Sequence, residues 1–124
     1  MKQLLLVGFG GALGSMLRFG MSTGLHALVG RTFPWGTLFV NVTGSFVMGL
    51  VYVLLIERVA LGPEWRALLM VGLLGGYTTF SSFSIETLNL IESGDLLRAA
   101  VNVLASVVLC LAAVWVGVSV ARQV

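Results

Sequence analysis

The sequence predicts an all-α membrane protein with four transmembrane helices, the third of them broken in mid-membrane. Three observations predict it. Hydrophobic residues make up 58% of the 124 positions and charged residues only 10%, with a mean hydropathy of +1.05, so the polar surface a soluble domain needs is missing. Four segments, 4–28, 35–56, 67–91 and 96–121, each reach the roughly 20 apolar residues that cross a bilayer. The third segment carries two adjacent glycines, five aliphatic hydroxyls and a carboxylate in its middle, which a helix that only filled lipid would not.

Short polar or turn-forming stretches separate the spans: 30–34, 57–64 and 92–95. None can hold a soluble module, so residues 1–124 are expected to form one four-helix transmembrane domain. Trp35, Trp65 and Trp115 fall near segment ends, where indole rings suit the membrane interface. Apolar character continues past the small residues at 10–15 to Leu28, which favours a first helix over a cleaved signal. Seven basic against five acidic residues is too small an excess to suggest nucleic-acid binding. The single cysteine, Cys110, excludes an intrachain disulfide and a cysteine-rich metal site. No nucleophile–base pair or metal-ligand cluster points to an enzyme.

In the first span Gly10 and Gly14, and Gly11 and Ser15, are four residues apart and form a smooth surface for close helix approach. Arg18 lies well inside that span, where a guanidinium is costly. Two readings stand: it snorkels to the interface, or it concentrates anions at an aqueous vestibule. His26, near the end of the span, reads as structural.

Thr37, Asn41 and Ser45 share one face of the second span. Asn41 either joins two helices or donates its NH2 to a permeating anion, helped by the flanking hydroxyls. In the third span Phe80 and Phe83 are three apart and lie on one side of the helix that resumes after Gly75-Gly-Tyr-Thr78. They are either apolar packing or, among Thr78, Thr79, Ser81, Ser82 and Ser84, ring edges with positive character that can face an anion. Carbonyls released between Gly75 and Thr78 offer the opposite chemistry, that of hard ligands for a small cation. The position of Glu86 leaves it a charge partner or a packing acid. Asn102, Ser106 and Cys110 recur every four residues on the fourth span, as interhelical glue or as the continuation of an ion path.

The connections give a weak orientation signal: Lys2, Arg58, Arg66 and Arg122 on one side against Arg31 and Arg98 on the other. A chain so balanced can insert both ways, and two copies can then pair antiparallel. No internal repeat supplies inverted symmetry, so it would come from a second chain.

Gly10-Gly-Ala-Leu-Gly-Ser-Met-Leu-Arg18, Gly36-Thr-Leu-Phe-Val-Asn41-Val-Thr-Gly44-Ser-Phe and Gly72-Leu-Leu-Gly-Gly-Tyr-Thr-Thr-Phe-Ser-Ser-Phe-Ser-Ile-Glu86 together resemble the Fluc family of fluoride channels, also called CrcB proteins. The resemblance covers essentially the whole chain. It implies a passive fluoride-selective channel, an antiparallel dual-topology homodimer with two pores, exporting toxic fluoride from the cytoplasm of a microbial cell across its inner membrane. It further implies that Phe80, Phe83, Asn41, Ser81, Ser82, Thr37 and Thr79 line the pore and that Arg18 sits near the vestibule. Carbonyls of Gly75 and Thr78 from both chains would hold a structural sodium ion. The residues leave two rivals open: a proton-coupled small multidrug transporter, for which Glu86 is the sole candidate acid, and a non-transporting assembly subunit.

Overall fold

The computed structural model describes residues 1–59 and 61–124; residue 60, within the connection predicted over 57–64, lies outside the described residues. Helix α1 runs Lys2–Val29 and ends at Gly30, whose φ of 87° is left-handed backbone that glycine adopts at little cost. The Gly30 N–H closes the last turn on the His26 carbonyl. Helix α2 covers Trp35–Arg58. Its first 18 residues wind as an ordinary α-helix, and Val53–Arg58 widen to i→i+5 bonding.

The third span starts at Pro63, which suits a first helical position because its missing N–H would have had no partner there. It runs as α3 over 63–77, with wide winding over Arg66–Leu74, and is followed by α4, Phe80–Glu92. Helix α5, Leu96–Gln123, is capped by Asp95, whose side chain accepts the Arg98 N–H and also pairs with the Arg98 guanidinium at 2.8 Å. Among the described residues there are only helices, and four spans, Lys2–Val29, Trp35–Arg58, Pro63–Glu92 and Leu96–Gln123, are long and apolar enough to cross a membrane. The third thus begins at Pro63, four residues before the start predicted at Ala67, because the Gly62-Pro63 start signal sits ahead of the apolar run.

The spans pack mainly as two pairs, α1 on α3 and α2 on α5, joined by α1 against α2; α4 leans on α5. Both pair contacts are built on glycine. A Cβ at Gly14 would run into the Leu73 carbonyl and approach the Tyr77 nitrogen at 2.8 Å, and one at Gly10 would strike the backbone of Leu68 and Leu73. On the other pair, a Cβ at Gly49 would meet the Val114 carbonyl, and one at Gly117 the Phe46 carbonyl. Lipid tails are as apolar as leucine, so helix pairs there gain from close contact rather than from hiding apolar surface, and small residues permit that contact.

Few side chains are fully buried; Val40, Val53 and Asn102 are the largest. Large apolar side chains such as Leu4, Phe9, Leu104 and Leu111 face outward. Large apolar side chains outside, with Thr37, Thr87, Asn102 and Ser106 buried among the apolar ones inside, are what a multi-pass membrane protein shows. At one end the Arg122 guanidinium straddles the Glu57 carboxylate at 2.6 and 3.0 Å and ties α5 to α2.

Candidate functional site

Between α3 and α4 two residues leave helical backbone. Thr78 has ψ 159° and Thr79 has φ −152°, ψ 116°. Three hydrogen bonds hold that geometry. The Asn41 amide brackets the Thr79 peptide, accepting its N–H at 2.7 Å and donating to its carbonyl at 3.0 Å. The Thr79 hydroxyl then accepts the Ser82 N–H at 3.1 Å and caps α4.

Two of these bonds divert a backbone donor from the helical ladder. Thr79 N–H would otherwise satisfy the Gly75 carbonyl, and Ser82 N–H the Thr78 carbonyl. Both oxygens are thereby released, and released carbonyls are hard donors of the kind that suits a small hard cation. Gly75 and Thr78 therefore fit the sodium site expected of them in the chemistry of their donors.

Arg18 does not extend to the end of α1. Its Nε donates to the Gly76 carbonyl at 3.0 Å, so the one guanidinium well inside α1 is bound to the last turn of α3. Beside it a small cavity of about 100 Å³ brings together Arg18, Thr37, Thr79 and Ser82. Thr37, buried on α2, donates its hydroxyl to the Glu86 carboxylate at 2.5 Å. That contact accounts for Glu86, whose partner could not be read from its position in the chain.

On the far side of the Thr79 peptide a larger groove of about 500 Å³ runs along α2 and α5. Asn41, Ser45, Thr78, Thr79, Phe80, Phe83, Ser106 and Cys110 line it. The rings of Phe80 and Phe83 lie 5.3 Å apart and inclined by 45°. Phe80 is 78% exposed. One amide hydrogen of Asn41 is committed to Thr79, and the second is the group left for the groove.

Two proposed lining residues stand elsewhere. Asn102 is 2% exposed and donates to the Thr87 hydroxyl at 2.9 Å, so of the polar stripe on α5 only Ser106 and Cys110 reach the groove. Ser81 lies at the surface within 3.4 Å of the Thr79 hydroxyl and lines neither cavity. The arrangement can offer an anion amide, hydroxyl and ring-edge donors along the groove, with a guanidinium in the smaller cavity that shares Thr79.

The family model described as CrcB-like protein, Camphor Resistance (CrcB), matches residues 5–118. The chain belongs to the CrcB family. A relative from Methylococcus capsulatus (strain ATCC 33009 / NCIMB 11132 / Bath), named fluoride-specific ion channel FluC, is 59% identical over 98% of this chain, which spans only 53% of that protein's length. A Coxiella burnetii (strain Dugway 5J108-111) protein of the same name is 51% identical over 98% of both chains. One from Geobacter sulfurreducens, again of that name, is 46% identical over 99% of both. CrcB relatives thus carry the name of an ion channel rather than of an enzyme. The match reaches all four spans, so the Thr79 peptide and both cavities lie inside the family region.

Proposed function

We propose that this chain forms a passive fluoride-selective channel as an antiparallel homodimer with two pores, exporting fluoride from the cytoplasm across the inner cell membrane and so lowering its toxicity. The observation that carries the reading is the groove in which Asn41, Phe80, Phe83 and Ser106 converge, in a chain whose relatives are named fluoride-specific ion channels. In this reading the whole chain is one transmembrane domain and the interruption at Thr78 and Thr79 lies at membrane depth. Backbone that is not helical is tolerated there because Asn41 satisfies it.

Fluoride is small and holds its water strongly, so a pore must replace that water with donors while holding the ion weakly at each step. The Asn41 amide, the hydroxyls of Thr79 and Ser82, and the edges of Phe80 and Phe83 would act in sequence, with Thr37, whose hydroxyl donates to Glu86, as polar wall and Ser81 outside both cavities. Arg18 would raise the anion concentration at the mouth, and its bond to Gly76 keeps it from trapping the ion. The Ser106 hydroxyl and Cys110 would continue the path, while Asn102 joins α5 to Thr87.

Gly75 and Thr78 carbonyls from both copies would hold a structural sodium ion between the chains. When bound, that ion supplies positive charge that offsets the cost of anions nearby. Support for two orientations comes from the balance of basic residues between the two sides. Proton-coupled drug exchange would need Glu86 as a free carrier, and that carboxylate accepts the Thr37 hydroxyl.

Replacing either phenylalanine tests the pore. Phe80→Ile or Phe83→Ile in proteoliposomes should abolish fluoride efflux and leave the dimer intact on size-exclusion chromatography. Normal flux in both variants would contradict the assignment.

A further inference from the structure

We infer that Tyr77 is a positioning residue, acting through its hydroxyl on Thr43 to set the backbone of Thr78 and Thr79; the inference deepens the channel reading and rests on it only for its flux readout. Tyr77 is the last helical residue of α3. Its OH lies 2.9 Å from the Thr43 hydroxyl on α2. Thr43 has a single proton, and the Phe39 carbonyl one turn back takes it at 2.7 Å. Tyr77 is therefore the donor and Thr43 the acceptor, and the chain of bonds runs from Tyr77 through Thr43 into the backbone of α2. The direction matters because it leaves the Tyr77 hydroxyl one place to point.

The neighbouring contacts turn this bond into a register device. Gly44 follows Thr43, and a Cβ there would collide with the Thr78 methyl and come within 3.1 Å of the Tyr77 ring. The ring and the Thr78 side chain thus lie directly on the bare backbone of α2. Two residues further along, the Thr79 peptide is bracketed by Asn41. Helix α2 therefore holds the end of α3 at two points, Thr43 to Tyr77 before the extended residues and Asn41 to Thr79 within them. Without the Tyr77 bond the only hydrogen bonds from α2 to this segment would be those of Asn41, with Arg18 of α1 on Gly76. Two points fix the direction in which the Gly75 and Thr78 carbonyls and the Asn41 amide face.

Tyr77→Phe keeps the ring and removes the donor; Thr43→Val removes the acceptor; Thr43→Ser keeps it. The first readout is hydrogen–deuterium exchange of the 75–83 peptide in detergent-purified protein. Loss of one net hydrogen bond is expected to speed exchange there about tenfold in Tyr77→Phe and in Thr43→Val, with exchange in α5 unchanged. The double variant should be no worse than either single one, and Thr43→Ser should match the parent. Fluoride efflux from proteoliposomes should fall in the same order. Parental exchange in Tyr77→Phe, additive effects in the double variant, or an equal rise in α5 would each overturn the inference. If the parent protein itself passes no fluoride, the channel reading fails while the exchange pattern still decides the role of Tyr77.

Discussion

Asn41 shows how much one side chain can decide. An amide carries both a donor and an acceptor, so it can replace the two backbone bonds that Thr79 gives up when it leaves the helix. Asn41→Ala leaves that peptide unpaired, and we expect it to lower stability by about 1–3 kcal/mol and to abolish fluoride efflux, measured by thermal melting in detergent and by proteoliposome flux. Asn102 is the contrasting amide. It is buried against Thr87 and away from the groove, so Asn102→Ala should cost a similar amount, about 1–3 kcal/mol, yet retain selective fluoride flux. Loss of selectivity in that variant would mean that α5 contributes to the path through Asn102 after all. Both residues carry the same sequence signal, an amide in a span. Only their partners, 38 and 15 residues away in the chain, separate them.

At the scale of elements, helix contacts follow residue size. Gly14→Ala places a methyl against the Leu73 carbonyl and should prevent α1 from seating on α3, which is seen as loss of a monodisperse peak on size-exclusion chromatography. Gly24 lies on the same helix with nothing within 4 Å of a Cβ. Gly24→Ala should therefore leave the melting temperature unchanged or raise it, since alanine favours helix by roughly 1 kcal/mol. Much of this level was legible beforehand. Apolar length predicts the four spans, and the i, i+4 spacing of Gly10 and Gly14 predicts a face for close approach. Pairing was not legible: nothing local says that α1 meets α3 and α2 meets α5. The wide winding over 53–58 and 66–74 was not legible either, because a shift from i→i+4 to i→i+5 bonding preserves apolar composition. The partners of Arg18 and Thr37, 58 and 49 residues away, depend on how α1 meets α3 and α2 meets α4, and became visible only with that packing.

At the scale of the whole molecule, an exposed Phe80 and the uncovered apolar faces of α4 and α5 leave the groove open along one side. A channel needs a closed path, and a second copy in the opposite orientation would close it while bringing a second set of Gly75 and Thr78 carbonyls to the first. Replacing sodium with a large organic cation should accordingly lower the melting temperature of the parent protein, read by thermal melting in the two salts. Equal melting in both would remove the structural cation without removing the pore. The central claim is selective passive permeation of fluoride, and efflux from liposomes containing the purified protein tests it most directly. With no imposed proton gradient and a fluoride electrode outside, the account predicts rapid fluoride release and no chloride release from matched chloride-loaded liposomes; equal release of both ions, or none from folded protein, would contradict it.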